Sequence, residues 1–120
     1  MNTLSIIIED DEDLAEIFSQ AVDAAGYHTE IISDGLTAQE RLKDVIPSIV
    51  ILDMHIPHIS GDKLLKQIRE DKRLVHTRVV VATADAQMGE IMRGKADLVV
   101  IKPISFTQLR DLTARFHPVE

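Results

Sequence analysis

The sequence predicts an α/β domain in which helices cover both faces of a parallel sheet, and three observations support this class. Apolar runs of strand length alternate five times with segments of helical spacing along the 120 residues. The runs at 49–52 and 79–82 are continuously aliphatic, which is typical of strands buried on both faces of a parallel sheet. Polar residues follow the strand ends, where ligands bind in open sheets. We therefore expect a doubly wound (βα)5 sandwich of three layers.

Five segments have the length and composition of strands. They are Leu4–Ile8, Tyr27–Ile32, Ile49–Leu52, Arg78–Ala82 and Leu98–Ile101. The second is more polar and is expected at an edge of the sheet, whereas the third and fourth are the most apolar and should be central. Parallel strands need long crossover connections, which are right-handed, so helices must lie between them.

The first two helices are predicted from apolar residues at helical spacing. The first ends at Gly26, a common helix stop, and carries a long apolar face. That face consists of Leu14, Ile17, Phe18, Ala21, Val22 and Ala25. The second helix spans Leu36–Val45. Its expected inward residues are Leu36, Ala38 and Leu42.

Three further helices follow the later strands. The first runs from about Asp62 to Asp71 and is expected to bury Leu64, Leu65 and Ile68. A brief helix of weak amphipathicity is predicted over Asp85–Arg93. Ser105 is placed to cap the last helix. The inward residues of that helix are Phe106, Leu109, Leu112 and Phe116.

The composition of the chain restricts its function. The net charge is −7, from 13 basic and 20 acidic residues, which disfavours binding to nucleic acid or to an anionic membrane. The absence of cysteine excludes disulfides, thiol nucleophiles and thiolate metal ligands, and it fits a cytoplasmic location. The apolar runs are too short to span a membrane. The length suits one domain, which we expect over 1–120 with its core at 4–116.

Chemically capable side chains follow four of the strands. The first strand is followed by Glu9 and Asp10, the third by Asp53, the fourth by Thr83 and the fifth by Lys102. All of them lie at carboxyl ends of parallel strands, so they face one edge of the sheet. Three converging carboxylates repel one another unless a cation lies among them, and oxygen ligands without His or Cys favour Mg²⁺. A hydroxyl and an ammonium beside such a site suit a phosphoryl group that a carboxylate attacks in line.

A purely structural role could explain part of this pattern. The acids of Glu9–Asp13 stand at the start of the first helix, whose free amides and dipole favour negative side chains. Asp53 alone could be a turn residue, and Lys102 alone a solvated charge. One or two acids would suffice as a cap, however, and chance does not explain matching chemistry at four strand ends. We therefore interpret the strand ends as a functional site.

Four motifs in order resemble those of response-regulator receiver domains, the CheY-like phosphoacceptors of two-component signalling. The motifs are Ile6–Asp11, Ile49–Gly61, Ala82–Ala84 and Ile101–Pro103, and the resemblance extends from Leu4 to Phe116. It implies a flavodoxin-like fold with strand order 2-1-3-4-5. It also implies a phosphorelay switch that catalyses its own phosphorylation and dephosphorylation without being a turnover enzyme.

The resemblance assigns a role to each residue of the acidic edge. Asp53 is the implied phosphoacceptor. Asp10, Asp53 and the backbone carbonyl of His55 would bind Mg²⁺ directly, and Glu9 would help through water.

The remaining assignments concern the phosphoryl group and the partners. Thr83 and Lys102 would hold phosphoryl oxygens, and the Lys102–Pro103 peptide would be cis. The phosphoryl donor would be a sensor histidine kinase, a phosphotransfer protein or a small acyl phosphate. The recipient of the signal would be a downstream protein or output domain that the sequence does not identify.

The chain departs from the family on the face through which receivers usually signal. Family members have an aromatic residue three positions before the lysine, where this chain has Val99, and a glycine where it has Lys95. The stretch from Thr83 to Ala96 is also shorter than usual. We therefore expect phosphorylation to shift the loop after Thr83 and to act through backbone and packing instead of a ring rotamer.

Two alternatives stay open at this point. A receiver-like docking module would bind partners without being phosphorylated, and the altered face is compatible with that role. An aspartyl-phosphate phosphatase resembling haloacid dehalogenases would need a second aspartate two positions after the nucleophile, where this chain has His55. His55 and Asp85 either flank the path of an attacking water, as the resemblance implies, or are exposed loop residues.

Overall fold

Five parallel strands form one sheet in the order β2-β1-β3-β4-β5 in the computed structural model, which describes residues 3–117. The strands are β1 (Leu4–Ile8), β2 (His28–Ile32), β3 (Ile49–Asp53), β4 (Arg78–Thr83) and β5 (Leu98–Ile101). All four pairings are parallel, and the aliphatic strands β3 and β4 lie inside the sheet as predicted. The predicted fold class and strand order are therefore confirmed.

Four α-helices and one short 3₁₀ helix connect the strands, and a fifth α-helix follows the last strand. They are α1 (Glu12–Ala24), α2 (Gly35–Arg41), α3 (Gly61–Glu70), the 3₁₀ helix Lys72–Leu74, α4 (Ala86–Met92) and α5 (Phe106–Ala114). The 3₁₀ turn was not predicted, and α2 ends earlier than expected. Within residues 3–117, each helix is too short or too polar to cross a bilayer.

Helices on both faces of the sheet bury its alternating side chains in two apolar layers. One layer joins β-strand residues such as Ile7, Ile51 and Val80 to Phe18 of α1 and Leu109 of α5. The other layer contains alternate strand residues and apolar side chains of α2, α3 and α4. Each fully buried aliphatic side chain contributes about 1.5–3 kcal/mol relative to exposure. This packing fixes the strand ends from which the candidate site is built.

Three apolar residues predicted to face inward are largely exposed. Ile17 is 42% exposed, Leu36 52% and Phe106 37%. Ile17 lies beside the stripe that α1 buries, and Leu36 and Phe106 lie in the first turns of their helices. Helical spacing identifies a helix, but it does not show where the covered part of the sheet begins.

At the amino-terminal end of the sheet, Asp97 accepts hydrogen bonds from several elements. Its carboxylate accepts hydrogen bonds from the Val79 amide at 2.7 Å, from Arg69 Nη2 at 2.9 Å and from Arg78 Nη1 at 3.3 Å. Arg69 also donates to the carbonyl oxygen of Thr77 at 3.3 Å. Burial alone would raise the pKa of Asp97, but these donors outweigh it and lower the pKa. Asp97 therefore joins α3, β4 and the start of β5.

Candidate functional site

Three carboxylates converge at the opposite, carboxyl-terminal end of the sheet. Glu9 and Asp10 follow β1, and Asp53 is the last residue of β3. One carboxylate oxygen from each lies within 4.8 Å of the others. Glu9 and Asp53 are buried, at 2% and 7% exposure, whereas Asp10 is open to solvent. The structure thus brings together three of the residues that the sequence placed at this edge.

Lys102, which directly follows β5, contacts two of these carboxylates. Its Nζ lies 2.8 Å from Glu9 Oε2 and 3.5 Å from Asp53 Oδ2. The Lys102 amide donates to the carbonyl oxygen of Thr83 at 2.8 Å, which fixes the start of the loop after β5. The Lys102–Pro103 peptide is cis, as the resemblance implies. The distances from Nζ to Glu9 and Asp53 place the ammonium between these two acids.

The pKa values of Glu9 and Lys102 are both raised, and each rise has its own physical cause. Burial raises the pKa of Glu9, the hydrogen bond from Lys102 opposes that rise, and the charge of Asp53 adds to it. Burial would lower the pKa of Lys102, but contact with Glu9 and Asp53 outweighs it and raises the pKa. The pKa of Glu9 thus rises mainly because the carboxyl is buried, whereas the pKa of Lys102 rises because two acids contact its ammonium. A further cation beside Glu9 and Asp53 would reduce the repulsion between the two carboxylates.

The donor set suits Mg²⁺. The cluster offers only carboxylate oxygens, which a hard divalent cation prefers, and it has the open side that Mg²⁺ needs to retain water. Glu9 is already paired with Lys102, whereas Asp10 is exposed and has no hydrogen bond or salt bridge assigned to its side chain among the described residues. The Asp10 carboxylate is therefore open to a cation, whereas the Glu9 carboxylate is engaged by Lys102.

The acids that follow Asp10 have a different role. Asp11 is the N-cap of α1, and its Oδ1 accepts the Leu14 amide at 3.1 Å. Glu12 and Asp13 occupy the first helical turn and are exposed, where the helix dipole favours negative charge. The capping role considered from the sequence therefore applies to Asp11, Glu12 and Asp13, whereas Glu9 and Asp10 belong to the carboxylate cluster.

Thr83 is fully buried at the end of β4 and is tied to the following helix. Its Oγ1 accepts the Asp85 amide at 3.1 Å. Asp85 is the N-cap of α4, because its Oδ1 accepts the amides of Gln87 and Met88 at 3.0 and 3.1 Å. The sequence did not predict this cap, although an aspartate just before a helix is a common N-cap signal.

Helix α4 packs directly on β5 at Val99, the position where receiver domains usually have an aromatic residue. A Cβ at Gly89 would come within 3.2 Å of Val99 Cγ1 and 2.7 Å of Ile101 Cδ1. The glycine and the small side chain of Val99 together allow this close approach. The seven-residue length of α4 agrees with the prediction of a brief helix in this stretch.

The loop after β3 holds the remaining predicted ligand group. The His55 amide donates to Asp53 Oδ1 at 3.2 Å, which restrains the acceptor side chain, while the His55 side chain is exposed. Further along, the Ile59 amide donates to the carbonyl oxygen of Pro57 at 2.9 Å. The residue between them, His58, has φ +73°. This is a γ-turn, and a non-glycine residue in that conformation costs about 1–3 kcal/mol.

The structure therefore has a flavodoxin-like doubly wound sheet whose carboxyl edge carries clustered acids and a lysine. Comparisons with known proteins agree with this class. The sequence model of the response regulator receiver domain matches residues 6–114, so the chain belongs to the response regulator receiver domain family.

Similar proteins come from the same class. The polar-differentiation response regulator DivK of Brucella ovis is 31% identical over 103 residues, which are 83% of this chain and 84% of DivK. Chemotaxis response regulator CheY4 of Vibrio cholerae has a similar fold, with a TM-score of 0.86, 18% identity, and coverage of 98% of this chain and 100% of CheY4.

A second similar structure was solved with a metal ion. It is the receiver domain of the sensor histidine kinase PA1611 from Pseudomonas aeruginosa PAO1, with a magnesium ion coordinated in its active-site cleft. Its TM-score is 0.85 at 17% identity, and the alignment covers 97% of this chain and 98% of that domain. At this identity the likeness concerns the fold.

Proposed function

We propose that this receiver domain is a phosphoacceptor switch in which Asp53 accepts a phosphoryl group with the help of Mg²⁺. The observation that carries the proposal is the buried Asp53 carboxylate at the end of β3, within reach of Lys102 Nζ and clustered with Glu9 and Asp10. The receiver is proposed as a single domain over 1–120, of which residues 1, 2 and 118–120 lie outside the described range.

The transfer step follows from the positions of the side chains. A carboxylate oxygen of Asp53 forms a bond to phosphorus while the bond from phosphorus to the donor's imidazole nitrogen breaks. The electron pair stays on the imidazole, which leaves as the neutral ring after protonation. Lys102 offers positive charge to the phosphoryl oxygens, and Thr83 offers its hydroxyl as a donor, since its oxygen already accepts the Asp85 amide. Bound Mg²⁺ would neutralise charge on the same oxygens.

Asp10, Asp53 and the backbone carbonyl of His55 are the proposed direct metal ligands, with Glu9 acting through water. Hydrolysis of the aspartyl phosphate would reset the switch when water attacks phosphorus and the Asp53 oxygen leaves as the carboxylate. The Asp85 side chain is engaged as the α4 cap, which favours the exposed-loop interpretation over a role in placing that water.

The proposed donor is a sensor histidine kinase or phosphotransfer protein in the cytoplasm, and the proposed target is a downstream protein or output domain. Movement of Thr83 towards a phosphoryl group would pull on the Asp85 amide and therefore on the cap of α4. Contact of α4 with Val99 would pass this movement to β5 without an aromatic rotamer.

The test is the intact mass of the protein after treatment with acetyl phosphate and Mg²⁺. The wild type should gain one phosphoryl group, and Asp53→Asn should gain none. Asp111→Asn, an exposed acid on α5, is the matched control and should be phosphorylated like the wild type. Failure of the wild type to gain mass would support the docking-module alternative, and equal gain by Asp53→Asn would place the acceptor elsewhere.

A further inference from the structure

The β3–α3 loop contacts a second loop that the proposed chemistry does not involve. The Gly35 amide, in the first turn of α2, donates to the carbonyl oxygen of Pro57 at 2.9 Å. Gly35 is buried, although it lies at the start of a surface helix. This contact ties the loop after β2 to the loop that leaves the acceptor strand.

The approach at Gly35 leaves no room for a side chain. A Cβ there would overlap the carbonyl oxygen of Ile59 and would lie 2.8 Å from both its carbonyl carbon and its Cβ. Two of these three atoms belong to the backbone, so a rotamer change in the loop cannot relieve the overlap. Any side chain at this position must displace the β3–α3 loop or the start of α2.

Hydrogen bonds of the α2 N-cap hold the corner that contains Gly35. Asp34 is the N-cap of α2, and its carboxylate accepts both the amide and the hydroxyl of Thr37 at 2.9 Å. These hydrogen bonds lower the pKa of Asp34, so the cap is ionised near neutral pH. Gly35 therefore presents its amide from a fixed helix start.

The contact acts on the strained part of the loop. Pro57 O accepts the Gly35 amide and the Ile59 amide at the same time, so the γ-turn at His58 is closed against Gly35. At the other end, the Gly61 amide donates to Met54 O at 3.3 Å. The backbone of His55 lies between these two anchored points.

We propose that Gly35 is a positioning residue for the divalent-metal site, because its amide and its missing side chain fix the β3–α3 loop that presents the His55 carbonyl. The inference rests on the proposed Mg²⁺ site. It assigns a role in metal binding to a residue that contacts neither the metal nor the acceptor. Partners that orient metal ligands from outside the coordination shell change affinity by about 10–100-fold when they are removed.

The test compares the Mg²⁺ affinity of Gly35→Ala and Gly94→Ala, measured by titration of amide resonances with MgCl₂. Gly94 has φ +86° and no atom within 4 Å of an added Cβ, so its substitution strains the backbone without a new contact. We expect Gly35→Ala to bind Mg²⁺ at least about tenfold more weakly, and Gly94→Ala to match the wild type. Equal affinity in all three proteins would overturn the inference. Absence of Mg²⁺ binding by the wild type would instead refute the proposed metal site.

Hydrogen exchange in the wild type decides the question if Gly35→Ala does not fold. Mg²⁺ should slow exchange of the Gly35 amide, which donates to the loop, more than that of the Thr37 amide, which donates to Asp34 within the same corner. Saturation to ten times Kd would slow opening of a metal-linked contact about tenfold. Equal slowing of the two amides would mean that the contact is not linked to the metal.

Discussion

Asp97 at the amino-terminal end of the sheet and Glu9 at the carboxyl-terminal end are both acids beside a cation, yet their pKa values shift in opposite directions. Three donors from two arginines and a backbone amide hold Asp97, and its pKa is lowered. Burial dominates at Glu9, where one lysine is shared with Asp53, and the pKa is raised. Both carboxylates have hydrogen-bond donors, but the donors outweigh burial at Asp97 and do not outweigh it at Glu9.

This difference separates an acid whose partners outweigh its burial from one whose partners do not. The carboxyl-terminal acids also have donors, since Glu9 accepts the Asp11 amide at 3.3 Å and Asp53 accepts the His55 amide at 3.2 Å. They share a single ammonium, however, and repulsion among the carboxylates therefore remains. An excess of negative charge on oxygen ligands is what the proposed Mg²⁺ site requires.

The largest effect on stability is expected from Asp97→Asn. The substitution keeps the shape of the side chain but removes the charge that pairs with Arg69 and Arg78 and weakens the acceptor for the Val79 amide. Both arginines are partly exposed, so we expect the free energy of unfolding to fall by about 1.5 kcal/mol in urea denaturation at neutral pH. Asp111→Asn, the exposed control, should change it by less than about 0.5 kcal/mol.

The pH dependence of that difference tests its cause. The folded pKa of Asp97 lies below its ordinary value of 3.8, so its contribution is complete above 3.8 and is lost as the pH falls through the lower folded value. The wild type and Asp97→Asn should therefore converge in stability as the pH falls below 3.8. A difference that persisted unchanged in acid would show that packing, and not charge, is responsible.

At the other end of the sheet, the matching substitution Asp53→Asn should have the opposite sign. It removes repulsion with Glu9 and Asp10, while Lys102 keeps its 2.8 Å contact with Glu9. We expect the metal-free protein to become more stable by about 1 kcal/mol, measured by denaturation with EDTA present. Added Mg²⁺ should stabilise the wild type and not the variant. Destabilisation of metal-free Asp53→Asn would show that the pair with Lys102 outweighs the repulsion.

The sequence was sufficient to predict the cluster at the carboxyl-terminal end of the sheet but not the contacts of Asp97 at the amino-terminal end. Glu9, Asp10, Asp53, Thr83 and Lys102 each follow an apolar strand directly, so strand spacing alone placed them at one edge. The strand order came from the resemblance. Asp97 precedes its strand, and its partner Arg69 lies on α3, so only the packed structure brings them together.

The remaining errors have similar causes. Periodicity placed Ile17 and Leu36 on inward faces, but the limits of the sheet leave both side chains exposed. The contact of Gly35 with Ile59 joins two loops whose backbone paths are not encoded in periodicity or in strand propensity. Such backbone-to-backbone approaches become visible only when both loops have been placed.

Asp85 lies at the carboxyl-terminal end of the sheet, but its carboxylate accepts backbone amides as that of Asp97 does. Its Oδ1 accepts two amides of α4, so it belongs to the structural acids although the resemblance places it near the path of water. Asp85→Ala should therefore destabilise the protein, by about 0.5 kcal/mol, at the low end for a lost N-cap because α4 is short and close to the surface. Urea denaturation measures the loss, and hydrogen exchange should show reduced protection of the Gln87 and Met88 amides, which donate to the Asp85 carboxylate.

The same variant tests which factor decides whether an acid stabilises the fold: its position at one end of the sheet, or the hydrogen-bond donors around its carboxylate. If Asp85 were a member of the repulsive cluster, its removal would stabilise the metal-free protein, as expected for Asp53→Asn. Its carboxylate instead replaces water at the amides of a helix start, and the Asp85 amide anchors the hydroxyl oxygen of Thr83. A stabilised Asp85→Ala would mean that the charge of the whole edge outweighs local hydrogen bonding, and the division between the two kinds of acid would then fail.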